Sequence, residues 1–142
     1  MVIISGTLFT SVAYLFSLSG KKWRTEELIN KIFTTQYNDR VDGLCGNADC
    51  GQMSAWYIFS AMGFYPVNPC GGEFVLGAPQ IPFAKINLPG SKTFTVTAEN
   101  YSKDNIYVKS VEFNGKALDR QTISYSDIIN GGSLVFRMSS VK

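Results

Sequence analysis

Apolar residues in the first part of the chain recur at helical spacing: Val12, Leu15 and Phe16, then Leu28, Ile29, Ile32 and Phe33, fall three and four positions apart. This predicts two helices, the first ended by Ser19 and Gly20. Thr25 is placed to cap the second, with Glu26 and Glu27 where the helix dipole favours negative charge. The pair reads as an antiparallel helical hairpin. Residues 36–51 are dense in Asn, Asp and Gly and read as a loop. A third helix is predicted from Gln52 to Met62, stopped by Gly63 and kept from resuming by Pro66. Met53, Ala55, Trp56, Tyr57, Ile58, Phe59 and Met62 make it apolar almost all round, the pattern of a helix packed on every side.

Beyond Pro66 the pattern turns to β. Runs at 74–76, 84–88, 93–98, 106–113, 122–125 and 133–138 are short and rich in β-branched or aromatic residues, with Gly, Pro and Asn between them. Phe94, Val96 and Ala98 fall on one face of their run and Thr93, Thr95 and Thr97 on the other, as in a half-buried antiparallel strand. Asn114 and Gly115 favour a tight type I′ hairpin between Phe113 and Lys116. The expected class is α+β: a helical segment over 1–65, then a small antiparallel sheet or sandwich over 66–142.

Composition narrows the chemistry. With 142 residues, 45% of them hydrophobic, the chain can form a real core, as one domain or a piece of a larger one. A net charge of +2 gives no case for nucleic acid, and Lys21, Lys22 and Arg24 read as a solvated corner. Histidine is absent, which excludes Ser-His-Asp and Cys-His nucleophiles and His-ligated zinc. Cys45, Cys50 and Cys70 are an odd count with no close pair, so they read as small buried hydrophobes rather than disulfides or zinc ligands. Residues 2–20 carry no charge and have the length of a short membrane anchor. Their many Ser, Thr and Gly residues, and the lack of a preceding basic residue, favour a buried helix.

Chemistry concentrates at 42–52, the candidate site loop. Asn47, Asp49 and Gln52 all offer oxygen acceptors, and the glycines among them let backbone approach a ligand. Two readings stand side by side. Asp49 caps the third helix and the glycines turn the chain, or the three side chains converge on a hydroxylated ligand or a hard cation.

The longer string DGLCGNADCGQMSAWY at 42–57, continued by FSAMGFYP at 59–66 and EFVLGAP at 73–79, resembles the signature of glycoside hydrolase family 92. Asn114, Gly115 and Lys116, then Asp127 and Ile128 before Gly131 and Gly132, extend the resemblance downstream. Upstream it takes in Ala13 to Phe16, Gly20, Lys21 and Trp23, and Thr25, Glu27 and Leu28. The resemblance implies an exo-acting α-mannosidase, often specific for α-1,2 links, that works with inversion and needs calcium. It also implies helices from the end of an (α/α)6 barrel, with the active site between barrel and β-sandwich. By similarity Asp49 matches the general base, Asn47 and Gln52 bind substrate beside it, and Asp49 is a candidate calcium ligand.

Departures from the family pattern shape the remaining expectations. Family members are several times longer, and Glu26 and Glu27 do not match their catalytic acid. Gly6, Thr7, Leu8, Thr10 and Ser11 stand where an Asn-Glu-Pro stretch and histidines are usual, and Ala48 replaces a common acidic residue. The expectation is a truncated C-terminal part, starting inside a barrel helix, with little or no activity alone. It would self-associate or need a companion chain, and its partner would be a mannose-containing glycan. The alternative is a non-catalytic carbohydrate-binding or structural module. Family members are usually periplasmic or at the cell surface, and no signal peptide is evident here.

Overall fold

The computed structural model describes residues 6–41, 43 and 49–142, of which 6–10 and 49 by backbone only. Three helices come first: α1 (Gly6–Leu18), α2 (Lys22–Gln36) and α3 (Gln52–Met62). α1 ends as its sequence demands. Gly20 takes φ 79°, and the Lys21 and Gly20 amides donate to Phe16 O (2.8 Å) and Ser17 O (3.3 Å), a Schellman closure. α2 starts at Lys22, three residues before the expected cap. Thr25 lies buried inside the helix, and its hydroxyl donates to Ala13 O at 2.6 Å. That bond ties the two helices together, and it outweighs the local capping preference.

The helices enclose a cluster of Ala13, Tyr14, Ile29, Ile32 and Trp56, joined by Tyr65 and Val75. Tyr14 stacks on Tyr65 with centroids 5.4 Å apart and donates to the Ser60 hydroxyl at 2.8 Å. Gly77 closes the cluster from the β side. A Cβ there would lie 2.6 Å from Ile29 Cδ1 and 3.0 Å from Tyr14, so only glycine lets the chain approach this closely. α3 ends at Gly63, in the left-handed region at φ 90°. α3 is not packed on every side: Tyr57 and Ile58 are 41% and 59% exposed.

The strands are β1 (Phe64–Tyr65), β2 (Glu73–Leu76), β3 (Phe83–Leu88), β4 (Lys92–Glu99), β5 (Tyr107–Phe113), β6 (Lys116–Ala117), β7 (Thr122–Ser124) and β8 (Gly132–Ser139). They form a 3-stranded sheet, β1-β2-β7, and a 5-stranded sheet, β3-β4-β8-β5-β6. The alternation read in β4 holds, with Phe94, Val96 and Ala98 buried beside Leu134, Phe136 and Met138. Asn114 and Gly115, at φ 50° and 76°, close the hairpin that pairs Phe113 with Lys116. One pairing departs from the antiparallel expectation: β4 and β8 run parallel, from Phe94 opposite Gly132 to Glu99 opposite Arg137. The two are far apart in sequence, so no hairpin fixes their relative direction. A short helix, α4 (Tyr125–Ile129), lies between β7 and β8; it takes in Tyr125, the last residue of the strand run expected over 122–125.

Phe59 packs against both the helical and the β cluster, so the two halves share one interior. No helix among the described residues is long and apolar enough to cross a membrane. Cys50 and Cys70 are free and exposed, contrary to the expectation of buried thiols, because each sits in a surface turn; Cys45 lies outside the described residues.

Candidate active site

The site is built at the start of α3. Asp49 opens a single 3-10 turn, Asp49–Gly51, whose Cys50 and Gly51 adopt left-handed φ of 53° and 76°. Two successive left-handed residues reverse the chain before the helix begins at Gln52. The helix cap is Gly51, so Asp49, two residues earlier, does not hold the N-cap position assigned by the capping reading. Gln52 is half-buried in the first turn. The Asp49 backbone and Gln52 therefore flank one tight turn, while Asn47 lies outside the described residues.

Aromatic residues fix where this turn sits. The Tyr37 hydroxyl donates to Met53 O at 3.1 Å, pinning the C-terminal end of α2 to the first turn of α3. Its ring lies parallel to Trp56 at 5.9 Å, and Phe33 stacks on Tyr57 at 4.6 Å. Burial and the neighbouring Tyr57 and Tyr65 push the Tyr37 phenol up to about 12, so it stays protonated and remains a donor. Just beyond, the Gly43 amide donates to Arg40 O and the Asn38 amide to Gly43 O, at 2.9 and 3.1 Å. A Cβ on Gly43 would overlap Asn38 O, so glycine is obligatory in this turn. Beside it lies an open hollow of about 500 Å³, lined by Phe33, Tyr37, Arg40, Ser54 and Tyr57 among others. Sequence reasoning passed over Tyr37 and Arg40; an aromatic residue just after an amphipathic helix, at the mouth of a polar loop, is the signal for them.

Residues 9–140 match the sequence model of the glycosyl hydrolase family 92 catalytic domain. The chain belongs to glycoside hydrolase family 92. Its fold superposes on a GH92 α-mannosidase from Bacteroides thetaiotaomicron, solved in complex with mannoimidazole, with a TM-score of 0.88 and 39% identity over 93% of this chain and 17% of that one. An inverting mannosidase of the same family and organism gives 0.86 and 36% identity, over 92% of this chain and 18% of its own. An uncharacterized secreted glycosidase of Arthroderma benhamiae is 28% identical over 124 residues, 85% of this chain and 16% of that protein. The family 92 chain described here thus spans under a fifth of the length of these relatives.

Within this family 92 chain the two carboxylates of α2 are engaged with other groups of the fold. Glu27 accepts from the Tyr107 hydroxyl at 2.8 Å and pairs with Lys142 at 2.9 Å, which holds its carboxyl below the usual range. Glu26 is buried against β5. Calcium takes six to eight oxygen ligands. Gln52 supplies one such donor side chain at the turn, and no group of three or more acidic, thiol or imidazole ligands occurs among the described residues. On their own, the described residues do not fit a calcium shell.

Proposed function

We propose that this chain carries the general-base side of an inverting exo-α-mannosidase that removes α-1,2-linked mannose from glycans. In an inverting glycosidase one carboxylic acid protonates the leaving oxygen while a carboxylate activates water on the opposite face of the sugar. Asp49 takes the second role, with Asn47 and Gln52 binding the sugar hydroxyls. The observation that supports this reading is that Asp49, the motif's acidic position, opens the Asp49–Gly51 turn that leads into α3 in a family 92 chain. The two Bacteroides relatives, one described as an α-mannosidase and the other as an inverting mannosidase, support the substrate and the stereochemistry.

Calcium belongs to the same proposal, with Asp49 among its ligands. Most of the shell would come from outside the described residues. The acid is likewise expected from outside this chain, since Glu26 is buried against the sheet and Glu27 is held by Lys142 and Tyr107. General acid–base assistance is worth about 10²–10⁴ per group, so the chain alone should hydrolyse almost nothing.

A second reading, a carbohydrate-binding module, draws on the aromatic hollow beside Tyr37 and Tyr57, since such a floor suits the apolar face of a hexose. The deciding experiment is mannose release from α-1,2-mannobiose by the purified chain, with calcium and with chelator. We expect no release. Calcium-dependent release that disappears in Asp49→Asn would show a complete site and overturn the dependence on outside residues. Mannose binding that survives Asp49→Asn without any hydrolysis would favour the binding module.

A further inference from the structure

The joint between the helices and the larger sheet holds a carboxylate that the proposed chemistry does not use. Glu26, 3% exposed, sits on α2 where the helix meets β5. The Val108 amide donates to it, at the place where the β5–β8 ladder slips. Val108 pairs with Met138 and Ser110 with Arg137, leaving Lys109 as the extra residue of a bulge. A cleft of about 220 Å³ opens beside the carboxyl, lined by Lys22, Glu26, Lys109, Asp119, Arg120 and Gln121 among others.

We propose that Glu26 is a proton-operated latch between the helical and β halves: neutral, it seats α2 on the β5 bulge, and ionised, it draws water into the cleft and loosens that joint. The geometry supports this in three ways. The carboxyl is nearly free of solvent, so its charged form loses hydration that one amide cannot replace. The cleft is large enough for several waters, so an ionised carboxylate can be rehydrated by opening the joint without unfolding the helix. And the bulge interrupts the β5–β8 ladder at this point, beside Glu26, so Lys109 has no ladder partner there.

Charged and titratable groups approach Glu26 from several elements. On α2, Lys22 favours the ionised form and Glu27 opposes it. β5 contributes Lys109 within the cleft and Tyr107, whose hydroxyl is committed to Glu27. The segment after β6 brings Asp119 and Arg120, of opposite sign, with Arg120 held 2.6 Å from Asp127. α1 and the Leu76–Gly77 side of the cleft carry no charge. Burial dominates this balance and pushes the Glu26 carboxyl up from 4.5 to about 7. The folded chain therefore holds the proton more tightly than the unfolded chain does. Its stability falls as pH rises between the unfolded and folded values and levels off above them.

The test is the urea midpoint of the full 142-residue chain from pH 5 to 9, at one fixed protein concentration. The folding equilibrium of the unaltered chain should weaken by on the order of 10² between pH 5 and 8. Glu26→Gln should abolish that dependence, and Lys22→Met should move its midpoint to higher pH, because an attractive positive charge is lost. Should Glu26→Gln fail to fold, the Lys22→Met shift carries the test. Carboxyl NMR would in parallel report a Glu26 midpoint near neutrality. A flat profile in the unaltered chain, the same slope in Glu26→Gln, or a Lys22→Met midpoint that stays put or moves down would each overturn the latch.

Discussion

At the residue scale, the candidate site depends on groups that position rather than react. Asp49 and Gln52 stand out in the sequence because acidic and amide side chains beside glycines suit a hydroxylated ligand. Tyr37 carries no such mark, yet its hydroxyl holds Met53 O and so sets the direction in which α3 departs. Tyr37→Phe keeps the ring contacts with Trp56 and Phe33 and removes only that bond. The expected loss is about 1 kcal/mol of stability, read from urea denaturation at constant pH. Backbone amides in the first turn of α3 should exchange faster at the same time. An unchanged denaturation midpoint would mean that the stacked rings alone hold the turn.

Elements were readable to the extent that their cues are local. The Schellman end of α1, the Gly63 stop of α3 and the Asn114–Gly115 hairpin all follow from glycine or asparagine reaching left-handed φ where other residues are strained. α2 starts earlier than its local cap signal predicts, because Thr25 bonds across the hairpin to Ala13 instead of capping its own helix. α4 was missed since five residues are too few for a helical period, although its capping box is local: Ser124 accepts from the Asp127 amide and Asp127 accepts from the Ser124 amide. Ser124→Ala should cost about 1 kcal/mol. Hydrogen bonding and Arg120 hold the Asp127 carboxyl below its ordinary 3.8. Its contribution is therefore present above that value and is lost as pH falls through the folded one. In an acid titration followed by circular dichroism, Asp127→Asn should show a smaller acid-side loss than the unaltered chain, because the carboxylate that accepts from the Ser124 amide and pairs with Arg120 is gone.

For the whole molecule, the apolar surface left on the helices is the dominant feature. Val12, Leu15 and Leu18 are 40%, 47% and 53% exposed at three-residue spacing on α1, and Tyr57 and Ile58 are exposed on α3. A helical face of this kind is ordinarily covered by another element. The isolated chain should therefore associate at micromolar concentration, as measured by light scattering, and Leu15→Glu with Leu18→Glu should shift it towards the monomer. A monodisperse monomer of the unaltered chain would contradict that expectation. The same scale holds the Glu26 joint, where a helix, a bulged strand and a loop meet around one carboxylate.

The sequence by itself determined the α-then-β order, the strand faces, the turn positions and the family signature. Each of these depends on residues close together along the chain, through periodicity, left-handed turns or a contiguous motif. Only the tertiary structure decided the parallel pairing of β4 with β8, the burial of Glu26 and the anchoring of α3 by Tyr37. Those outcomes bring together groups such as Tyr37 and Met53, or Glu26 and Val108, whose spacing along the chain leaves no periodic trace. Burial sets the energy of a buried carboxylate or a phenol, and burial is a property of the surrounding fold rather than of neighbouring letters.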